Sequence, residues 1–213
     1  MNRLRLPAIS WVALSFFLTA AHGETRQQTA LSYVELGQQF ARHGDLARAI
    51  RAYTNALEFN SDCAPAFFHR GQAFEKLGEI PDAITDYGHA VDLQPTLSRA
   101  WYNRGNLRFK DGNYDAALSD FNRAIEIDGR YTFAYNNRGI TRVAIGDLAG
   151  AVVDFTEAIK LDPRYPEAYM NRGLVRLQQG FKVEAEKDFE RSIAVKPSLK
   201  AVIETRLGRA NLK

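Results

Sequence analysis

The chain has one cysteine, Cys63, in 213 residues. An intramolecular disulfide is excluded whatever the redox compartment, and so is a cysteine-rich metal site. The expected role of Cys63 is that of a small side chain in a loop or core. Only seven prolines are present, with 46% hydrophobic and 25% charged residues. That composition belongs to a folded protein and not to a disordered or low-complexity one. Net charge is scarce as well. The formal value is +3, and without Arg3 and Arg5 at the start the remainder carries +1. No basic stripe is present, which excludes an electrostatic nucleic-acid binder. His22, His43, His69 and His89 show no metal spacing, Cys63 has no partner at ligand distance in sequence, and no strand-to-helix glycine loop could cradle a phosphate. These absences predict no catalytic residues, no metal and no cofactor, so the chain is not expected to be an enzyme.

Long apolar runs are missing too. Leu6 to Ala21 runs sixteen residues without a charge. A membrane-spanning helix needs about twenty. Arg3 and Arg5 precede the stretch, the small-x-small site Ala21-His22-Gly23 ends it, and the polar run Glu24-Thr25-Arg26-Gln27-Gln28 follows. This is the layout of a secretory signal peptide. The expectation is a signal over residues 1–23, a short linker over 24–29, and a mature chain beginning near Glu24. The protein would then be exported, periplasmic or secreted, with no stable membrane span after cleavage. An uncleaved anchor is the other reading. No cysteine stands at the site, so a lipoprotein signal is excluded.

What the chain does have is a repeat. Shifting the sequence against itself by 34 residues aligns five consecutive units without insertion: 30–63, 64–97, 98–131, 132–165 and 166–199. Position 4 of the unit holds Tyr33, Phe67, Trp101, Tyr135 and Tyr169. Position 8 holds Gly37, Gly71, Gly105, Gly139 and Gly173, and position 15 holds Gly44, Gly78, Gly112, Gly146 and Gly180. Position 20 is alanine throughout, from Ala49 to Ala185. Position 24 holds Tyr53, Tyr87, Phe121, Phe155 and Phe189. Position 27 holds four alanines and then Ser192, and Pro95, Pro163 and Pro197 close three units.

Each unit reads as two amphipathic helices around a glycine, as in Trp101–Lys110 and Asp115–Ile127 about Gly112. A short joint makes the two helices antiparallel neighbours. Glycine inside a helix costs up to about 1 kcal/mol relative to alanine. The recurrence of Gly105 and its counterparts therefore predicts a close helix approach, with Ala117 and Ala124 as the small residues opposite. Trp101 and Phe121 are expected to fill the end of the pair. No unit can bury its own apolar face, so the units must stack. Residues 200–213, with Ala201, Val202, Leu207 and Leu212 among charged residues, are expected to form a capping helix.

Position 7 holds Arg70, Arg104, Arg138 and Arg172, and position 23 holds Asp86, Asp120, Asp154 and Asp188. In the first unit both are missing together, as Leu36 and Ala52. This predicts structural ion pairs, because partly buried charges normally pair. Two pairings are open: with the aspartate of the same unit, or with that of the unit before, which would give Asp188 to Arg206.

The aromatic, glycine, alanine, aromatic and proline positions over residues 30–199 resemble the tetratricopeptide repeat. Arginine at position 7 departs from that family, which usually has leucine there. The resemblance implies an all-α tetratricopeptide-repeat solenoid of antiparallel helix pairs. It also implies a concave groove lined by positions 2, 5, 6, 9, 12 and 13 of each first helix. Position 6 holds Glu35, His69, Asn103, Asn137 and Asn171, and the amides of the three asparagines both donate and accept. Phe68, Tyr102, Phe109, Ile140 and Leu174 would provide an apolar floor, with Phe133, Val143, Met170 and Leu177 nearby. The expected function is a non-catalytic scaffold or adaptor holding a peptide or helix of a partner protein. A self-assembling homo-oligomer is the alternative. Some family members bind acidic chaperone tails through cations in the groove. Over the last three units the matching positions hold Tyr102, Asn106, Asn137, Glu167 and Asn171, so that reading fails.

Overall fold

A computed structural model describes residues 11–210, and side chains over residues 25–208. The described residues form eleven α-helices and no strand. They fall into two compact units, Met1–Gln94 and Pro95–Lys213.

Unit 1 contains α1 (Trp11–Arg42), α2 (Leu46–Phe59), α3 (Ala64–Leu77) and α4 (Ile80–Leu93). Helix α1 packs on α2 and α3, and α3 packs on α4. Residues 1–10, with Arg3, Arg5 and the start of the leader, lie outside the described residues. Residues 24–29, read from sequence as a linker, are helical and continuous with the first repeat. Among the described residues no helix is long and apolar enough to cross a membrane.

Unit 2 contains α5 (Ser98–Lys110), α6 (Tyr114–Ile127), α7 (Thr132–Ala144), α8 (Leu148–Leu161), α9 (Pro166–Gln178), α10 (Lys182–Val195) and α11 (Leu199–Ala210). Successive helices from α5 to α11 pack as neighbours, and first helices also touch, α5 on α7 and α7 on α9.

Every hairpin turns the same way. The glycine at position 15 has φ between 78° and 88°, a left-handed conformation that L side chains avoid. The next N–H reaches back to a carbonyl five residues earlier, as from Asp147 to Arg142 at 2.8 Å, the bond of a Schellman cap. The residue donating it also starts the second helix. Asp45, Asn113 and Asp147 cap that helix by accepting from the N–H of Arg48, Ala116 and Gly150.

The alanines at positions 20 and 27 are buried in both units. The glycine at position 8 marks the close helix approach that the sequence implied, but against a different group. Its nearest neighbour is the position-24 ring, not an alanine. A Cβ added at Gly139 would lie 2.7 Å from the Phe155 ring, and one at Gly105 would lie 2.9 Å from Phe121. Phe121 is fully buried. Trp101 is only half-buried and donates its Nε1–H to the Pro95 carbonyl at 3.0 Å.

The C-terminal cap forms, but on another stripe than expected. Leu199 and Ile203 are buried and Leu207 packs beside them against Met170, Ala185 and Phe189. Ala201 and Val202 face outward. A spacing of four keeps 199, 203 and 207 on one helical face. Leu212 lies outside the described residues.

Candidate functional site

The ion pairs choose the aspartate of their own repeat. Arg70 holds Asp86, Arg104 holds Asp120, Arg138 holds Asp154 and Arg172 holds Asp188, each as a two-pronged contact between 2.6 and 3.0 Å. All four aspartates are at most 3% exposed. The arginines still bridge repeats, through neutral partners. Arg70 donates to Thr54 Oγ1, Arg138 to Asn122 Oδ1 and Arg172 to Thr156 Oγ1, each in the repeat before. Each guanidinium also lies over the position-4 ring, at 4.7 Å for Arg104 on Trp101.

Unit 2 adds a second cation to every aspartate. Arg108, Arg142 and Arg176 reach Asp120, Asp154 and Asp188 at 2.8 to 2.9 Å. All three stand at position 11, so the same 34-residue alignment contains them. Their helix face is separated from position 7 by one turn, which puts both guanidinium groups on one carboxylate.

The predicted groove residues divide. Phe109, Asn137 and Ile140 come together with Asn106, Lys110 and Phe121 around a cavity of about 290 Å³ on α5, α6 and α7. Phe121 is its floor. The lining positions are 9, 12 and 13 of one repeat and 6 and 9 of the next. Tyr102 stands beside it. Its ring lies 4.8 Å from that of Tyr131 and its hydroxyl accepts from Asn137 Nδ2 at 3.1 Å. Burial pushes the Tyr131 hydroxyl up to about 12 and raises that of Tyr165 above the usual tyrosine range. Both are therefore protonated donors near neutral pH. Phe133 is 53% exposed with its edge against Tyr165.

The other groove residues are placed elsewhere. Phe68 is buried in unit 1, close to Tyr87 and His69. Met170 is buried, and Leu174 and Leu177 pack against the cluster that receives α11. Val143 packs against Ala151, Phe155 and Val175.

The asparagines are knitted to one another. Asn137 donates both amide hydrogens, to Tyr102 and to Asn106 Oδ1 at 2.7 Å. Its own oxygen accepts from Asn136 at 3.0 Å, and Asn136 Oδ1 accepts from Asn171 at 3.0 Å. Asn103 is half-buried and is also partnered. The amides thus tie first helices together across three repeats, which their period in sequence did not reveal. Asn106 and Asn136, at positions 9 and 5, complete a network that position 6 alone could not show.

Among the described residues no cluster of three or more histidine, cysteine or acidic side chains is placed to hold a metal ion. Cys63 is buried in the core of unit 1.

Comparison with known proteins bears on the repeat directly. Models described as tetratricopeptide repeat match residues 34–98 and 98–131, and one described as TPR repeat matches residues 141–180. No curated protein matches the chain. Among solved structures the chain is similar to the MamA protein, at 26% identity over 81% of this chain and 94% of that one, with a TM-score of 0.74. It shares the fold of YrrB, described as a TPR protein with an unusual peptide-binding site, at 21% identity over 90% and 97% with a TM-score of 0.75. It also shares the fold of PilF of Pseudomonas aeruginosa, at 20% identity over 88% and 90% with a TM-score of 0.68. With its five 34-residue helix pairs and these matches, the chain belongs to the tetratricopeptide-repeat family, whose architecture is that of a protein-interaction scaffold.

Proposed function

We propose that this protein is exported and acts as a non-catalytic adaptor, seating a segment of a partner protein on the first-helix face of unit 2. The observation that carries the reading is the cavity of about 290 Å³ with an aromatic floor, Phe109 and Ile140 as apolar walls and the Asn106–Asn137 amide pair on its edge. Few, convergent polar groups over an apolar surface suit a side chain projecting from an extended or helical segment. The tyrosine hydroxyls of Tyr102 and Tyr131 extend the polar edge. Export rests on the layout of residues 1–23, and the description of YrrB as peptide-binding favours a peptide ligand.

The test is capture of partners from an envelope fraction by the mature chain and by Phe109→Ala. Loss of a buried aromatic anchor costs 2 kcal/mol or more, which is about thirtyfold in affinity. The captured protein is expected to fall by that factor while the thermal melt stays within a few degrees. Undiminished capture would move the site off this face.

A self-assembling role is the second reading. It is favoured by Val153, Phe181 and Val183 of unit 2, which are 55% to 65% exposed. Light scattering separates the two readings, because an adaptor with an open face is a monomer.

A further inference from the structure

Unit 1 has its own cavity at the same place in the repeat, with different chemistry. It measures about 270 Å³ and is lined by Gln38, Arg42, His69, Gln72 and Lys76 over Tyr53. Arg42 and Lys76 occupy position 13 of successive repeats at the exposed ends of α1 and α3. Neither is engaged in an ion pair among the described residues, and no acidic side chain lines the cavity.

Tyr53 supplies an independent sign of a ligand. It is 1% exposed, yet its hydroxyl forms no hydrogen bond with a described residue. Every fully buried side-chain polar atom among the described residues has a partner, so the Tyr53 oxygen is not sealed off, and Tyr53 lines the cavity. Packing does not require that oxygen, because Phe121, Phe155 and Phe189 fill the same position without one. At Tyr87 the hydroxyl is used, donating to Glu75 Oε2 at 2.8 Å. Burial holds the Tyr53 hydroxyl protonated, up to about 12, with the Arg42 charge pulling the other way. It therefore faces the cavity as a donor.

His69 fixes the wall. With its proton on Nδ1 it donates to Gln72 Oε1 at 3.0 Å and accepts from Gln38 Nε2 at 2.7 Å. Neutral imidazole satisfies both contacts, so the ring braces two amides and leaves the Gln72 NH₂ as a donor.

We infer that this cavity binds a carboxylate of a partner protein, the side chain of a glutamate or aspartate. Arg42 and Lys76 supply the complementary charge, and the Tyr53 hydroxyl donates from the floor. The inference rests on the adaptor reading but uses a separate site. Two cations and a hydroxyl donor with no acid among them select an anion. The volume lies below the roughly 300 to 1,000 Å³ of small-molecule pockets, which suits one side chain.

The test is NMR titration of the full mature chain with acetyl-Gly-Glu-Gly-amide, its glutamine analogue and inorganic phosphate. The glutamate peptide should move the Tyr53 and His69 signals and the glutamine peptide should not. The response should weaken several-fold at about 1 M salt, where the Debye length is about 3 Å. Tyr53→Phe should weaken binding about two- to tenfold, the loss of one hydrogen bond, with an unchanged melt. Lys76→Gln should also weaken it. Equal response to the glutamine peptide, no response to the glutamate peptide, or full affinity in Tyr53→Phe would each overturn the inference. A stronger response to phosphate would overturn the carboxylate assignment. Phe109→Ala should bind the glutamate peptide normally, so the adaptor reading at unit 2 can fail while this site stands.

Discussion

The same repeat positions build a cavity in each unit and give its walls different chemistry. In unit 1 positions 6 and 9 hold His69, Gln38 and Gln72 over a tyrosine, with Ala41 at position 12. In unit 2 they hold Asn137, Asn106 and Ile140 over Phe121, with Phe109 at position 12. The ion pairs differ as well. Asp86 in unit 1 has one arginine, and position 11 is Phe74, over which Arg70 lies at 5.8 Å. Asp120, Asp154 and Asp188 of unit 2 have two each. The positions that do not differ are the glycines at 8 and 15 and the alanines at 20. The glycine at 8 and the alanine at 20 set the distance between helices, where packing at crystal-like density leaves no room for variation, whereas the glycine at 15 is held by a left-handed turn that L side chains avoid. Positions facing a cavity or the helix ends are free to diverge, and the divergence is where recognition can reside.

The largest expected effect tests the shared frame. Ala151 is fully buried, and Ala151→Arg both overpacks the site and buries an unpaired charge. The first costs about 1 to 3 kcal/mol and the second several more. A central repeat supports neighbours on both sides, so the cooperative melt should collapse. A melt within a few degrees of wild type would show that position 20 is not a packing position.

The next effect compares the ion pairs. Asp154→Ala removes the buried carboxylate that Arg138 and Arg142 share, leaving Arg138 with Asn122 and Arg142 with Asp147 and the Gly150 carbonyl, and should cost about 3 to 5 kcal/mol. Asp86→Ala strands only Arg70, which keeps Thr54 and two aromatic faces, and should cost less. Denaturant melts of the two variants decide this. Equal losses would mean that the second arginine of unit 2 contributes nothing.

Alkaline pH offers a third comparison. Burial raises Tyr53 in unit 1 and Tyr131 in unit 2 to about 12, against an unfolded value near 10. The folded state keeps each proton longer, so the stability from the neutral hydroxyl is complete below pH 10 and is lost as pH rises from about 10 to 12. The slope for one group is at most about 1.4 kcal/mol per pH unit. Tyr53→Phe and Tyr131→Phe should each flatten the decline. If neither does, the two hydroxyls ionise no later than in the unfolded chain.

The smallest effect concerns one oxygen. Tyr87→Phe removes the hydrogen bond to Glu75 and should cost about 0.5 to 1.5 kcal/mol. Tyr53→Phe, which removes an unpartnered hydroxyl, should cost nothing measurable near neutral pH. A loss in Tyr53→Phe equal to that in Tyr87→Phe would show that the Tyr53 oxygen has a partner inside the protein.

The asparagines show why the site was harder to read than the frame. Their period put Asn103, Asn137 and Asn171 on one face, but a period cannot say whether an amide points at solvent or at its neighbour. Both hydrogens of Asn137 are committed to Tyr102 and Asn106. Asn137→Ala is therefore expected to loosen the contact between α5 and α7 and is not a neutral surface change. The pairing of the arginines was likewise open, because both aspartates lie one repeat period apart and sequence distance alone does not separate them.

The sequence by itself determined the number of helix pairs, their 34-residue length, the glycine turns and the existence of the charge pairs. Each of these follows from local conformational preference or from a requirement that recurs at fixed spacing. Only the tertiary structure decided which aspartate each arginine takes, that an aromatic ring faces the position-8 glycine, which stripe of the last helix is buried, and which groove residues share a cavity. Those outcomes depend on side-chain direction between helices far apart in sequence. The repeat period fixes where each helix lies, but a side chain can still turn toward its own repeat, the next one or the solvent, and only packing selects among them.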